Sequence, residues 1–149
     1  MLDKLDSKIL KNLTSDGRVT WSDLASACGV SAPAIADRVR RLEKRGIIAG
    51  YTVQLSARYL GYDITAFVAV SLERPHHRQS FLDYVQATPE IQECHHVTGE
   101  GDYLLKVRCR NTTELEQIIS EQIKGLAGVV QTRTSIALST IKEGITLPV

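Results

Sequence analysis

Residues 23–46 read DLASACGVSAPAIADRVRRLEKRG, and the fold of the first third of the chain follows from them. Gly29 breaks a short helix, Val30 is apolar, and Ser31 restarts the chain as an N-cap. Pro33 lies in the next helix's first turn, where a missing N–H costs nothing. Ala32, Ile35, Val39 and Leu42 recur at helical spacing and form an inner face that Gly46 ends. Upstream, Thr20 caps the short helix with Asp23 as a weak capping box, and Leu24, Ala25 and Cys28 face inward. Before that, Leu2, Leu5, Ile9 and Leu13 mark a first helix, with Asp3 as N-cap and Asp16-Gly17 as its stop. A short helix, a glycine turn and a capped arginine-rich helix make a helix-turn-helix arrangement.

Charge separates the two ends of the 149-residue chain. The total is 18 Lys+Arg against 17 Asp+Glu, net +1. Residues 1–60 hold ten basic and six acidic side chains, net +4, which leaves residues 61–149 at −3. The near-neutral total therefore does not exclude a nucleic-acid partner. At about 100° per residue, Pro33, Ala34, Asp37, Arg40, Arg41 and Lys44 point away from the inner face, with Arg38 and Arg45 on its flanks. In a recognition helix the N-terminal residues reach base edges while flanking cations grip phosphates. Pro33, Ala34, Asp37 and Arg41 are therefore expected to face bases, and Ser31, Arg38, Arg40, Lys44 and Arg45 to position the backbone. A solvated basic face is common on exposed helices, but the local +4 and the helix-turn-helix context point to double-stranded DNA.

After Gly46 the texture changes. Ile47–Leu55 is β-branched and apolar and reads as a short strand or wing; Arg58–Tyr62, with Gly61, reads as a linker. The domains expected are thus 1–60 and 61–149. The second reads strand Ile64–Leu72, helix His77–Ala87, strands Ile91–Val97 and Tyr103–Cys109 around the loop Thr98–Asp102, helix Thr113–Lys124 and strand Val129–Leu138. This βαββαβ order predicts a ferredoxin-like α+β domain with two helices on one sheet face. Ile64, Phe67, Val68, Val70 and Leu72 read as apolar on both sides of the first strand, so a second copy is expected to cover the other face.

Other classes are disfavoured. Three scattered cysteines suit a reducing cytosol rather than a disulfide framework. No signal-peptide core and no run of about 20 apolar residues is present, so a cytoplasmic protein without membrane contact is expected. On a strand Cys94 and His96 share one face and His95 the other, and His76, His77 and Cys109 lie elsewhere; neither a metal nor a cofactor is expected. Trp21 reads as a packing or exposed residue. No serine, cysteine or carboxylate constellation suggests catalysis.

Several stretches together resemble the Lrp/AsnC (feast/famine) transcription regulators. They are Leu2-Asp3, Asp6, Ile9-Leu10, Asp16-Gly17-Arg18, Leu24-Ala25, Gly29-Val30-Ser31, Arg38-Val39-Arg40-Arg41-Leu42-Glu43, Gly46-Ile47-Ile48 and Gly50-Tyr51. Later come Pro89-Glu90-Ile91, Glu93-Cys94, Val97-Thr98-Gly99, Asp102-Tyr103-Leu104-Leu105 and Gly128-Val129 with Thr132, Thr134 and Leu138. The resemblance implies an N-terminal winged helix-turn-helix domain and a C-terminal RAM-type ferredoxin-like domain. It further implies a homo-dimer that assembles to tetramers or octamers, and an amino-acid effector that alters assembly or DNA affinity. By similarity the effector pocket takes Thr98, Gly99, Gly101, Asp102 and Tyr103 from the loop and Thr132, Thr134 and Ser135 from the last strand. Glycine N–H groups suit a carboxylate and Asp102 an ammonium group, although Asp102 could equally cap the turn. Gly101 departs from the family, which often has a bulkier residue there. An effector-independent architectural DNA-binding protein is the alternative. Sirohaem decarboxylases share the layout, but their His-rich first-strand segment finds no match in Ile64–Leu72.

Overall fold

The computed structural model describes residues 2–144 and 146–149 and forms two compact units. One contains the chain up to Gln54 together with Glu143–Val149; the other is Leu55–Lys142. The 60/61 division read from the sequence falls inside the second unit, and the tail belongs with the first.

The first unit holds helices α1 (Lys4–Ser15), α2 (Trp21–Cys28) and α3 (Ala32–Lys44). Their starts are set by side chains that occupy otherwise orphaned N–H groups. The Asp3 carboxylate accepts the Asp6 N–H at 2.7 Å, and the Asp6 carboxylate accepts the Asp3 N–H at 3.2 Å, a complete capping box. Thr20 accepts the Asp23 N–H at 3.1 Å and donates its hydroxyl to the Asp23 carboxylate at 2.6 Å. Gly29, at φ +73°, ends α2 in the left-handed region and turns the chain into α3. Ile9, Leu10, Leu24, Ala25, Ile35, Val39 and Leu42 are buried together as this unit's core. Full burial of each larger aliphatic contributes about 1.5–3 kcal/mol.

The strand expected at Ile47–Leu55 does not form. The Ile47 and Ile48 N–H groups both go to the Leu42 carbonyl, at 2.9 and 3.3 Å, and no strand pairing follows before Ser56. A strand needs an edge to pair with, and none of the described residues supplies one. Tyr51, Val53 and Leu55 alternate with polar residues and stay exposed.

The second unit contains β1 (Ile64–Leu72), α4 (Arg78–Ala87), β2 (Ile91–His96), β3 (Tyr103–Cys109), α5 (Thr112–Glu116) and β4 (Val129–Ile136). The sheet order is β2-β3-β1-β4, antiparallel throughout. Short 3₁₀ turns precede β1 at Arg58–Leu60 and α4 at Pro75–His77. α5 runs on into a π-helical turn, Gln117–Ile123, in which Lys124 N–H reaches the Ile119 carbonyl at 3.0 Å. Period-two geometry assigns the faces. Ala66, Val68 and Val70 of β1 and Leu105, Val107 and Cys109 of β3 pack with Phe81, Val85, Leu115, Ile118 and Ile123 of the helical layer.

The opposite face differs from the sequence expectation. Ile64, Val68, Val70 and Leu72 share the parity that faces the helices, so of the five residues quoted above only Phe67 lies on the open side. There it is joined by Ala69 and Leu104, ringed by Thr65, Ser71, Lys106, Arg108, Glu93, His95, Gln131, Arg133 and Ser135. The open face is a small apolar centre within a polar rim. Among the described residues, no helix is long and apolar enough to cross a membrane.

Candidate DNA-reading helix and ligand site

Helix α3 is held by its inner face and presents the rest. Ser31 accepts the Ala34 N–H at 3.4 Å and leaves Pro33 in the first turn. Ile35, Val39 and Leu42 are buried, Ala34 is half-buried, and Ser31, Pro33, Asp37, Arg40, Arg41, Lys44 and Arg45 are exposed. Arg41 and Lys44 occupy the last turn, where cations complement the helix dipole. Tyr51 folds back and donates its hydroxyl to Glu43 at 2.9 Å; burial, then this carboxylate, pushes its pKa up to about 12.

The five cations of α3, four expected at phosphates and Arg41 at the bases, are not equivalent. Arg40 pairs with Asp37 at 2.7 Å, both exposed. Arg38 is only partly exposed, and its Nη1 reaches the Asp6 carboxylate at 3.1 Å and the Asp3 carboxylate as well. Hydrogen bonding from the Asp6 N–H first, and from Arg38 next, holds the Asp3 carboxyl below its ordinary range. The pair with Asp3 raises Arg38 further above its own. Arg41, Lys44 and Arg45 have no ion pair among the described residues.

In the second unit the hairpin between β2 and β3 is stitched onto β1. Asp102 donates its N–H to the Val70 carbonyl at 2.9 Å, and its carboxylate accepts the Leu72 N–H at 2.7 Å. Gly101, at φ +85°, lies so close to β1 that a Cβ would stand 3.2 Å from the Val70 oxygen and 3.4 Å from the Ala69 Cβ. Gly101, Glu100, Ala69, Ser71, Gln131 and Arg133 line an open cavity of about 150 Å³. Glu100 and Arg133 form an ion pair beside it.

Of the eight residues named for the effector, only Gly101 lines this cavity; Ser135 shares its sheet face. Thr132 and Thr134 pair with Val70 and Val68 and so turn to the helix side of β4. Tyr103 is buried there too, its ring 4.9 Å from Phe81 and 5.1 Å from His96. Asp102 is engaged by Leu72, and Thr98 and Gly99 lie outside the cavity lining. The other residues that line the cavity, Ala69, Ser71, Glu100, Gln131 and Arg133, are not among those expected from sequence. Parity along β4, anchored on which residues of β1 face the helices, is the signal that finds the last two. A larger hollow of about 270 Å³ between the end of α4 and β2 has Glu93 as its charged lining group and no cation.

Residues 2–49 match the winged helix-turn-helix DNA-binding family, and residues 65–147 match the Lrp/AsnC ligand binding domain. The chain belongs to the Lrp/AsnC family. It is 39% identical over 144 residues to the leucine-responsive regulatory protein of Escherichia coli K12, covering 95% of this chain and 88% of that one. Its fold superposes on a transcriptional regulator of Neisseria meningitidis in complex with L-Met, with TM-score 0.95, 31% identity and coverage of 99% and 97% of the two chains. It superposes equally fully on the feast or famine regulatory protein of M. tuberculosis complexed with L-methionine, with TM-score 0.89, 33% identity and coverage of 99% of each chain. E. coli AsnC gives a TM-score of 0.93 at 29% identity, again covering 99% of each chain. This Lrp/AsnC protein is accordingly a DNA-binding transcription regulator carrying the family's ligand-binding domain.

Proposed function

We propose that the chain is a cytoplasmic homo-oligomer that binds double-stranded DNA through α3 and answers to a free amino acid bound on its sheet. The observation that carries the ligand reading is the pairing of Glu100 with Arg133 at the cavity that Gly101 opens. A zwitterion presents the same two charges, so Arg133 would take its carboxylate and Glu100 its ammonium group. The larger hollow lacks that complement. Support from relatives comes from the L-Met and L-methionine complexes of two similar regulators. The DNA reading rests on Arg41, Lys44 and Arg45 as phosphate contacts, with Pro33, Ala34 and Asp37 nearest the bases and Ser31 and Arg40 beside them. Arg41, expected at the bases from sequence, is moved to the backbone group because it lies in the last turn with Lys44. Phe67, Ala69 and Leu104 on the open sheet face, and the alternating Tyr51, Val53 and Leu55, are the surfaces that a second copy would cover.

Effector-independent architectural binding is the second reading, and it is favoured by Glu100 and Arg133 already satisfying one another. Calorimetric titration of the full-length protein with each of the common amino acids separates the two. At least one should bind, and Arg133→Gln should abolish that binding while leaving DNA affinity intact. DNA binding without any amino-acid heat would favour the architectural reading.

A further inference from the structure

The most buried charged group in the first unit is Asp6, at 4% exposure, and it is engaged on both oxygens. One accepts the Asp3 N–H, closing the α1 capping box, and the other accepts Arg38 Nη1 from the middle of α3. The same nitrogen also reaches the Asp3 carboxylate. A buried carboxylate needs its counter-charge, because removing one partner leaves the other desolvated and unpaired. If Arg38 swung out to a DNA phosphate, Asp6 would be stranded. The guanidinium thus bridges the first turn of α1 and the centre of α3, where a change of tilt or rotation breaks the contact.

We propose that Arg38 is a positioning residue rather than a phosphate contact, and that Asp3 and Asp6 use it to fix the pose in which α3 meets the bases. This rests on α3 being the reading helix, and it replaces the backbone role expected for Arg38 from sequence. Its consequence is specific: the Asp3–Asp6–Arg38 tie governs discrimination between sequences, while Arg41, Lys44 and Arg45 govern affinity for any DNA.

The test uses full-length protein, a duplex selected by it from a random pool, and an unselected duplex of equal length. Arg38→Gln should lower the melting temperature and cut the preference for the selected duplex by about 5- to 150-fold, the loss of one base contact. The salt slope on the unselected duplex should stay unchanged. Arg41→Ala should reduce that slope by about 0.9 per helix with melting unaltered. A purely structural role for Arg38 would lower melting but leave the preference of the folded protein intact. Arg38→Lys, which keeps the charge, should restore part of the preference.

If Arg38→Gln does not fold, Asp3→Asn keeps the N-cap acceptor and decides the matter. With Arg38 still held by Asp6, its slope on unselected DNA should equal that of wild type while preference falls. A shallower slope in Arg38→Gln, a steeper one in Asp3→Asn, or full preference in either variant would overturn the proposal. If Arg41→Ala also leaves the slope unchanged, it is the assignment of α3 that fails instead.

Discussion

Replacing Gly101 by alanine tests the close approach of the β2–β3 hairpin to β1, on which the candidate ligand site depends. At φ +85° an L side chain incurs left-handed strain of about 1–2 kcal/mol. The new methyl would also meet the Val70 oxygen at 3.2 Å and the Ala69 Cβ at 3.4 Å, both on the central strand, so the hairpin or the strand must shift. Crowding of that kind typically costs a further 1–3 kcal/mol, roughly. Gly99 is the internal control: its φ is +112°, but no atom lies within 4 Å of its Cβ position, so Gly99→Ala meets the backbone strain alone. The difference between the two variants should be at least about 1 kcal/mol, or roughly 4–8 °C in Tm for a domain of this size. Differential scanning calorimetry of both full-length variants measures it directly. Titration with amino acids should show Gly101→Ala weakened, because the methyl closes the cavity floor. Equal Tm values for the two variants, or a more stable Gly101→Ala, would refute the described seating of the hairpin.

Three further outcomes follow from the same geometry. Arg41→Ala in a dimer removes two phosphate contacts, flattening the salt slope by about 1.8; affinity should then fall about 12-fold less between 50 and 200 mM salt than in wild type. Phe67→Asp places a charge at the apolar centre of the open sheet face and should reduce the assembled mass in light scattering, with melting lowered only by the stabilisation that assembly supplies, because Phe67 is outside the helix-covered core. Ultraviolet titration should find one tyrosine ionising at about 12, and Glu43→Gln should lower it. Because that pKa is raised in the folded state, its stabilising contribution is complete below the ordinary tyrosine value near 10. It is lost as pH climbs from there towards 12.

What could be read from sequence was local. Asp3, Thr20 and Ser31 cap their helices as their spacing predicts, because a cap acts over three residues. The limits of β1 and β3 were readable from runs of β-branched and apolar residues bounded by turn formers. The βαββαβ order followed from the alternation of two periods. What escaped depends on pairing between distant segments. Thr132 and Thr134 are apt ligand residues by chemistry, yet the β1–β4 register turns them inward and brings Gln131 and Arg133 out. Asp6 stood out in the sequence only through the family resemblance, and its burial against Arg38, 32 positions away, has no signature in either segment. The strand expected at Ile47–Leu55 shows the reverse case: the alternation is present, but pairing needs an edge that the described residues do not offer.

The measurement closest to the central claim is the affinity of the full-length protein for its selected duplex, titrated with each common amino acid, with assembled mass followed by light scattering. At least one amino acid should change the affinity or the mass, and Arg133→Gln should erase that response while leaving basal DNA binding in place. A protein that binds the duplex equally tightly and at constant mass with every amino acid would contradict an amino-acid-responsive regulator.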